Sequence, residues 1–319
     1  MRKLISCLLG VLCFSFGYAE INNYQAVFIP GFVEADQLRI AIRSFDDAGV
    51  AKFLIVNPYN LHTALIPATQ LLPRDPAKHK RNGYFSWEKI SNTPYLQLLL
   101  ESTKVPDSIQ NAGLTHALFP VSGQVLTVDM CPSIHATEIP FFTRLAKLGA
   151  HMSQGFPLAI SISGLWLLDH PKDFAALLQW QQARRLQIIW VNHSFSHLYF
   201  PDLPLEQNFL LFQQTHLRHE LLATEVLLLA RHQLPSVFFR LPGLVANQAV
   251  LAEMRRDGLI PLGADAWLAK GQKPREGSII LVHGNGNEPV GIERVMPYLQ
   301  EHARHWLSLY DIVSQQRKE

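Results

Sequence analysis

Short apolar runs alternate along this chain with longer stretches of helical period. The runs cover residues 26–29, 53–56, 125–128, 158–162, 188–191, 237–239 and 279–282. Helical period is clearest over 34–47, 140–148, 173–185, 205–232, 248–257 and 291–302. Runs too short to be helices, separated by amphipathic helices, predict a mainly parallel sheet covered by helices, an α/β layered or barrel architecture. Residues 73–92 break the pattern with Pro73, Pro76 and the basic cluster Lys78, His79, Lys80, Arg81, and read as an exposed loop. The pattern divides into an N-terminal α/β extension over 20–117, read as strand–helix–strand plus a loop and a helix, and a fuller set of strand–helix units over 118–319.

The first residues follow a different rule. Arg2 and Lys3 precede an uncharged apolar run over 4–16, and Gly17 and Ala19 put small residues after it. This predicts a signal peptide over 1–19, cleaved near Ala19, and a periplasmic or secreted protein. The run is too short to span a bilayer, so no stable transmembrane segment is expected in the mature chain. Loss of Arg2 and Lys3 would balance acidic and basic residues, which number 26 and 28 in the full chain, and would leave no electrostatic footprint for nucleic acid. Cys7 and Cys13 would leave too, so Cys131 would be a lone thiol with no disulfide partner. The composition, 48% hydrophobic and 17% charged, is that of an ordinary folded chain.

Chemistry gathers where apolar runs end, which in a parallel α/β fold is where active groups sit. One run delivers Asp129, followed by Met130, Cys131 and Pro132. A second ends at Asn192 and His193, with His197 four residues on, and neutral imidazoles so spaced can share a divalent ion, typically zinc. A third delivers Arg240, whose charge at the end of an apolar run calls for a carboxylate, with Asp129 the obvious partner. A fourth ends at His283, a possible proton donor.

In this order the segments resemble the polysaccharide deacetylases of the NodB-homology type, carbohydrate esterase family 4. Residues 127–132 resemble that family's Thr-Phe-Asp-Asp-Gly-Pro, 192–197 its His-Ser/Thr-x-x-His, 240–243 its Arg-x-Pro-x-Gly with Gly243 one place early, and Leu281 with His283 its final Leu-x-His. Asp265 is the match to its remaining Asp segment. The resemblance covers residues 118–309. It implies a distorted (β/α) barrel and a metal-dependent hydrolase that removes N-acetyl groups from an envelope or extracellular glycan. It further implies that His193 and His197 hold a divalent metal, zinc, that Asp129 is the base and Arg240 orients it, that His283 is the acid and Asp265 tunes it, and that Leu281 and Pro242 line the substrate pocket.

The family's third metal ligand, its second Asp, is Met130 here. Asp129, His135, Glu138 or Cys131 could substitute. Alternatively the protein is a catalytically silent glycan-binding or interaction protein on the same fold. Asp46 and Asp47 look like the missing Asp pair but read as a solvated helix end stopped by Gly49. His216, His219 and Glu220 read as a solvent-facing group on a helix, and Asn285 and Asn287 as turn residues.

Overall fold

The computed structural model describes residues 20–33, 37–71, 87–301 and 305–314. The signal segment 1–19 and the basic cluster 78–81 lie outside the described residues.

The chain opens with a four-stranded antiparallel sheet, β1 (Ile21–Val33), β2 (Gln37–Asp47), β3 (Val50–Val56) and β4 (Thr63–Pro67), in the order β1-β2-β3-β4. Helices α1 (Trp87–Ser91) and α2 (Pro94–Ser102) follow. The extension is therefore a meander sheet followed by helices, and the helix expected over 34–47 is strand β2. The cause of the misreading is burial on both faces. Ile40 and Ile42 pack into the main core and Ala41 into a second cluster, so residues 40–43 are buried without alternation and mimic a helical pattern. Asp46 and Asp47 end a hairpin arm rather than a helix, and they pair with Asn23 and Lys52.

The second sheet is parallel throughout. Its strands are β5 (Gln124–Met130), β6 (Phe156–Ile162), β7 (Leu186–Asn192), β8 (Pro235–Arg240), β9 (Ile260–Leu262), β10 (Ala266–Trp267), β11 (Ile279–His283) and β12 (Trp306–Leu307). They run β10-β11-β5-β6-β7-β8-β9, with β12 added to β5. Helices α3 (Ile139–Gly149), α4 (Gly164–Asp169), α5 (Pro171–Gln182), α6 (Leu217–Ala230), α7 (Gln248–Arg256) and α8 (Pro289–Gln300) complete the crossovers. This is the expected α/β class, a distorted and incompletely closed (β/α) barrel. No ladder joins β9 to β10; residues 110–116 cross that gap, Leu114 bridging to Leu262 and His116 to Ser278.

Side-chain alternation divides the core in two. Leu126, Val128 and Met130 of β5 join Leu158, Ile160 and Ile162 of β6 under the outer helices, against Phe141, Phe142, Trp166 and Val295. Val125, Ala159, Ile189, Leu262 and Leu281 face inward, in one cluster with Ile40, Ile42, Leu54 and Val56 of the first sheet. The two sheets thus share a core. Across the same boundary Arg43 of β2 pairs with Glu225 of α6, both almost fully buried.

The helix expected over 205–232 begins only at Leu217. Asn208 interrupts the segment: its side chain accepts from the Phe200 amide and donates to the Phe200 and Leu203 carbonyls, competing with helical pairing.

Candidate metal centre

The C-terminal ends of β5, β7, β8 and β11 converge on a cavity of about 530 Å³ lined by Asp129, Cys131, His193, His197, Leu281 and His283, among others. Asp129 and His283 are register partners on neighbouring parallel strands, so pairing alone places them side by side.

The two histidines do not meet on a helical turn. Residues 193–197 form a loop with Ser194 at φ 64° and His197 at φ 49°, both left-handed. That conformation costs a non-glycine residue roughly 1–2 kcal/mol, so the surroundings must impose it. Asn192 Oδ1 accepts from the Ser194 amide and Ser194 Oγ accepts from the His197 amide, closing the loop on itself. The rings end with centroids 4.7 Å apart.

His193 is buried, and its Nδ1 lies 2.7 Å from the Arg240 carbonyl. A carbonyl only accepts, so Nδ1 carries the proton and the Nε2 lone pair is free. Burial is the main force on this imidazole and pushes its pKa down to about 4, so the ring is neutral at physiological pH. Nε2 points at Cys131 Sγ, 3.4 Å away. Burial would raise the Cys131 thiol, but the facing His197 and His283 outweigh it and bring it down to about 7. Among the described residues, Cys131, His193 and His197 form a group whose donor atoms lie within 4.8 Å of one another, close enough to hold one metal ion. Two imidazoles, one readily ionised thiol and an open cavity on the fourth side fit a divalent metal ion with a free position.

Strand alternation explains which side chain reaches this group. Asp129 faces the cavity, Met130 is buried in the outer helical layer, and Cys131 faces the cavity again. The position where the family motif has its ligand points away, and the following residue supplies the donor. His135 is exposed and, like Glu138, stands outside the donor group.

Arg240 meets Asp129 as expected, Nε lying 3.4 Å from Oδ1, and its remaining nitrogens donate to the Gly263 carbonyl and Thr127 Oγ1. Burial opposes the Asp129 charge, but Arg240, then His193 and His283, hold its pKa below the usual carboxylate range. Asp129 Oδ1 makes no hydrogen bond among the described residues beyond its ion pair with Arg240 Nε. Asp129 Oδ2 lies 3.7 Å from His193 Nε2.

Asp265 is not brought to His283. Its carboxylate accepts from the Ile279 amide and meets His116, at the start of β11. His283 ends the same strand, roughly 13 Å away at ~3.3 Å per residue. Glu288 stands at His283 instead, Oε2 lying 2.8 Å from Nδ1 and accepting from Trp267 Nε1 at 2.8 Å. Burial by itself would discharge His283; Cys131 and Glu288 overcome it and raise the pKa well above that of an ordinary histidine. Glu288 is correspondingly held below its usual range despite burial, chiefly by its bond to His283. No motif flagged Glu288, which comes five residues after His283 at the start of α8.

Leu281 lines the cavity, whereas Pro242 does not, its place on the wall being taken by Leu241 and Gly243. Gly243 adopts φ 59°, and a Cβ there would lie 2.4 Å from the Phe209 ring, so glycine is required. Phe209 stacks on Tyr199 at the rim. Asn285 and Asn287 do serve a turn, and through it they donate to the Cys131 and Pro132 carbonyls and hold the Cys131 segment.

Residues 22–96, covering the first sheet, α1 and the start of α2, match the RP012 protein N-terminal domain. The solved structures the fold resembles include a family 4 carbohydrate esterase from Bacillus anthracis, 19% identical, covering 73% of this chain and 95% of that one with a TM-score of 0.46. They also include the chitin deacetylase of the fungal pathogen Colletotrichum lindemuthianum, 11% identical over 64% of this chain and 93% of that one, TM-score 0.45. A family 4 pseudoenzyme from Bacillus anthracis is 14% identical over 61% of this chain and 67% of that one, TM-score 0.42.

Proposed function

We propose that this protein is an exported, zinc-dependent amidohydrolase that removes N-acetyl groups from a glycan. The observation that carries the reading is the meeting of a Cys131–His193–His197 donor group, an ionised Asp129 and a cationic His283 around one cavity. Export rests on the charged start and apolar run of residues 1–19. No helix among the described residues is long and apolar enough to cross a membrane.

When bound by the three donors, zinc supplies Lewis-acid polarisation of an amide carbonyl and acidifies water. The chain's own groups do the rest. Asp129, kept ionised and oriented by Arg240, accepts the proton of the attacking water. His283, its Nδ1 paired with Glu288 and its side chain lining the cavity, gives a proton to the departing amine. Leu281 offers an apolar wall for the acetyl methyl, and Tyr199 and Trp267 offer aromatic surface for sugar rings. The net reaction is amide plus water to acetate plus amine.

Acetate release from N-acetylglucosamine oligomers, with acetylated xylan as the comparison, tests this. Zinc-loaded protein is expected to release acetate, and His283→Ala to lower kcat by roughly 10²–10⁴-fold, the usual worth of a positioned general acid. Preference for the xylan would change the substrate to an O-acetyl ester. Wild-type protein that takes up no divalent metal and releases no acetate would make it a catalytically silent binding protein.

The thiol gives an independent check. In metal-free protein, iodoacetamide should label Cys131 with a rate that rises with pH and reaches half its plateau near pH 7, because the thiolate is the nucleophile and the thiol pKa lies at about 7. Stoichiometric zinc should block labelling, read by mass spectrometry. Labelling indifferent to zinc would remove Cys131 from the ligand set.

A further inference from the structure

The histidine loop is held by a carboxylate outside every motif. Glu220, in the first turn of α6, is buried, and its Oε2 accepts from the amides of Phe195 (3.0 Å) and Ser196 (2.9 Å). Its Oε1 accepts from the Ser196 hydroxyl at 2.7 Å. One turn on, Thr224 Oγ1 donates to the Ser194 carbonyl at 2.7 Å, and the Leu221 carbonyl accepts from Asn192 Nδ2 at 2.6 Å. From the other side, the Gly164 and Leu165 amides donate to the Ser194 and Phe195 carbonyls.

These contacts meet a specific need. Ser194 and His197 are both left-handed, and between them the amides of Phe195 and Ser196 point at the same oxygen of Glu220. Two such donors beside a buried pocket require a shared acceptor, and a carboxylate is the strongest available. Without it the amides lose their partners, and the two left-handed conformations lose one of the contacts that hold them. His197 sits at the end of that loop, so its place relative to His193 depends on the bond at Glu220.

We infer that Glu220 is a positioning residue for the metal centre, setting His197 against His193 and Cys131 through the Phe195 and Ser196 amides. The inference rests on the metal reading of the site. It assigns a role to a side chain that touches neither metal nor substrate.

The test measures zinc affinity of the full chain by competition with a chromophoric chelator, alongside the thermal midpoint of the metal-free protein. Glu220→Ala is expected to weaken zinc binding ~10–100-fold, the usual cost of removing an outer support of a metal ligand. Glu220→Gln, which keeps the shape and one acceptor, should fall between. At saturating zinc, kcat should recover most of its wild-type value, because every group that touches substrate is intact. A Glu220→Ala protein that folds and binds zinc as wild type does would overturn the inference. If that variant does not fold, Glu220→Gln decides it, and wild-type affinity there is again the overturning result. Wild-type protein that binds no zinc is a different outcome, since it defeats the metal reading itself.

Discussion

Cys131→Ala is expected to weaken zinc binding by more than ~100-fold and to remove acetate release, whereas Met130→Asp, the substitution a motif alignment would choose to repair the site, is expected to gain no ligand and to lose stability. The first expectation follows from ligand count. Loss of an outer support costs 10–100-fold in affinity, so loss of one of three direct donors must cost more. The second follows from where residue 130 points. Met130 is fully buried in the outer layer with Phe142 and Val128. A carboxylate there has no partner, and desolvating it costs several kcal/mol or forces it to protonate. Chelator competition and denaturant unfolding on both variants decide the matter. Tighter zinc binding by Met130→Asp would show that strand β5 can rotate its end into the cavity, and it would refute the assignment of Cys131.

The largest effect on stability is expected far from the cavity, at the ion pair that joins the two sheets. Arg43 Nε and Nη2 donate to the two Glu225 oxygens at 2.7 and 3.0 Å, and Tyr24 adds a bond at 2.6 Å. Arg43 Nη1 donates to the Ile42 and Asp257 carbonyls, so the guanidinium is enclosed by acceptors. Glu225→Ala leaves that cation buried without its counter-charge, which costs about 3–5 kcal/mol. In a chain of this size that corresponds to a fall in thermal midpoint of roughly 5–15 °C. The double variant Arg43→Met with Glu225→Leu removes both charges and should recover most of the loss, because an apolar pair of similar volume avoids the desolvation cost. A Glu225→Ala protein within about 2 °C of wild type would mean that water reaches Arg43 and that the first sheet is less firmly joined than its shared core implies.

Much of the candidate site was legible before any coordinates. Asp129, His193, Arg240 and His283 each follow a run of apolar residues, and such runs end at the functional edge of a parallel sheet. That is a local signal, and β5, β7, β8 and β11 carry it. The failures have a common cause. Strand β2 looked helical because both its faces are covered, and coverage is a property of neighbours. Asp265 looked like the partner of His283 because it matched a motif in order, yet it binds the opposite end of the same strand. Glu288 and Glu220 carried no signal, since each works through a contact that spans a turn or a crossover. Glu220, read as solvent-facing, is buried because the loop it supports lies against its helix.

By itself, then, the sequence determined the α/β class, the order of the strand ends and the residue types that crowd the cavity, because apolar runs and the groups that follow them are written locally. Tertiary structure decided which of Met130 and Cys131 faces the cavity, which carboxylate holds His283 and what keeps His193 and His197 together. Those outcomes depend on register and on packing between segments distant in the chain, where a one-residue change of parity exchanges core for cavity.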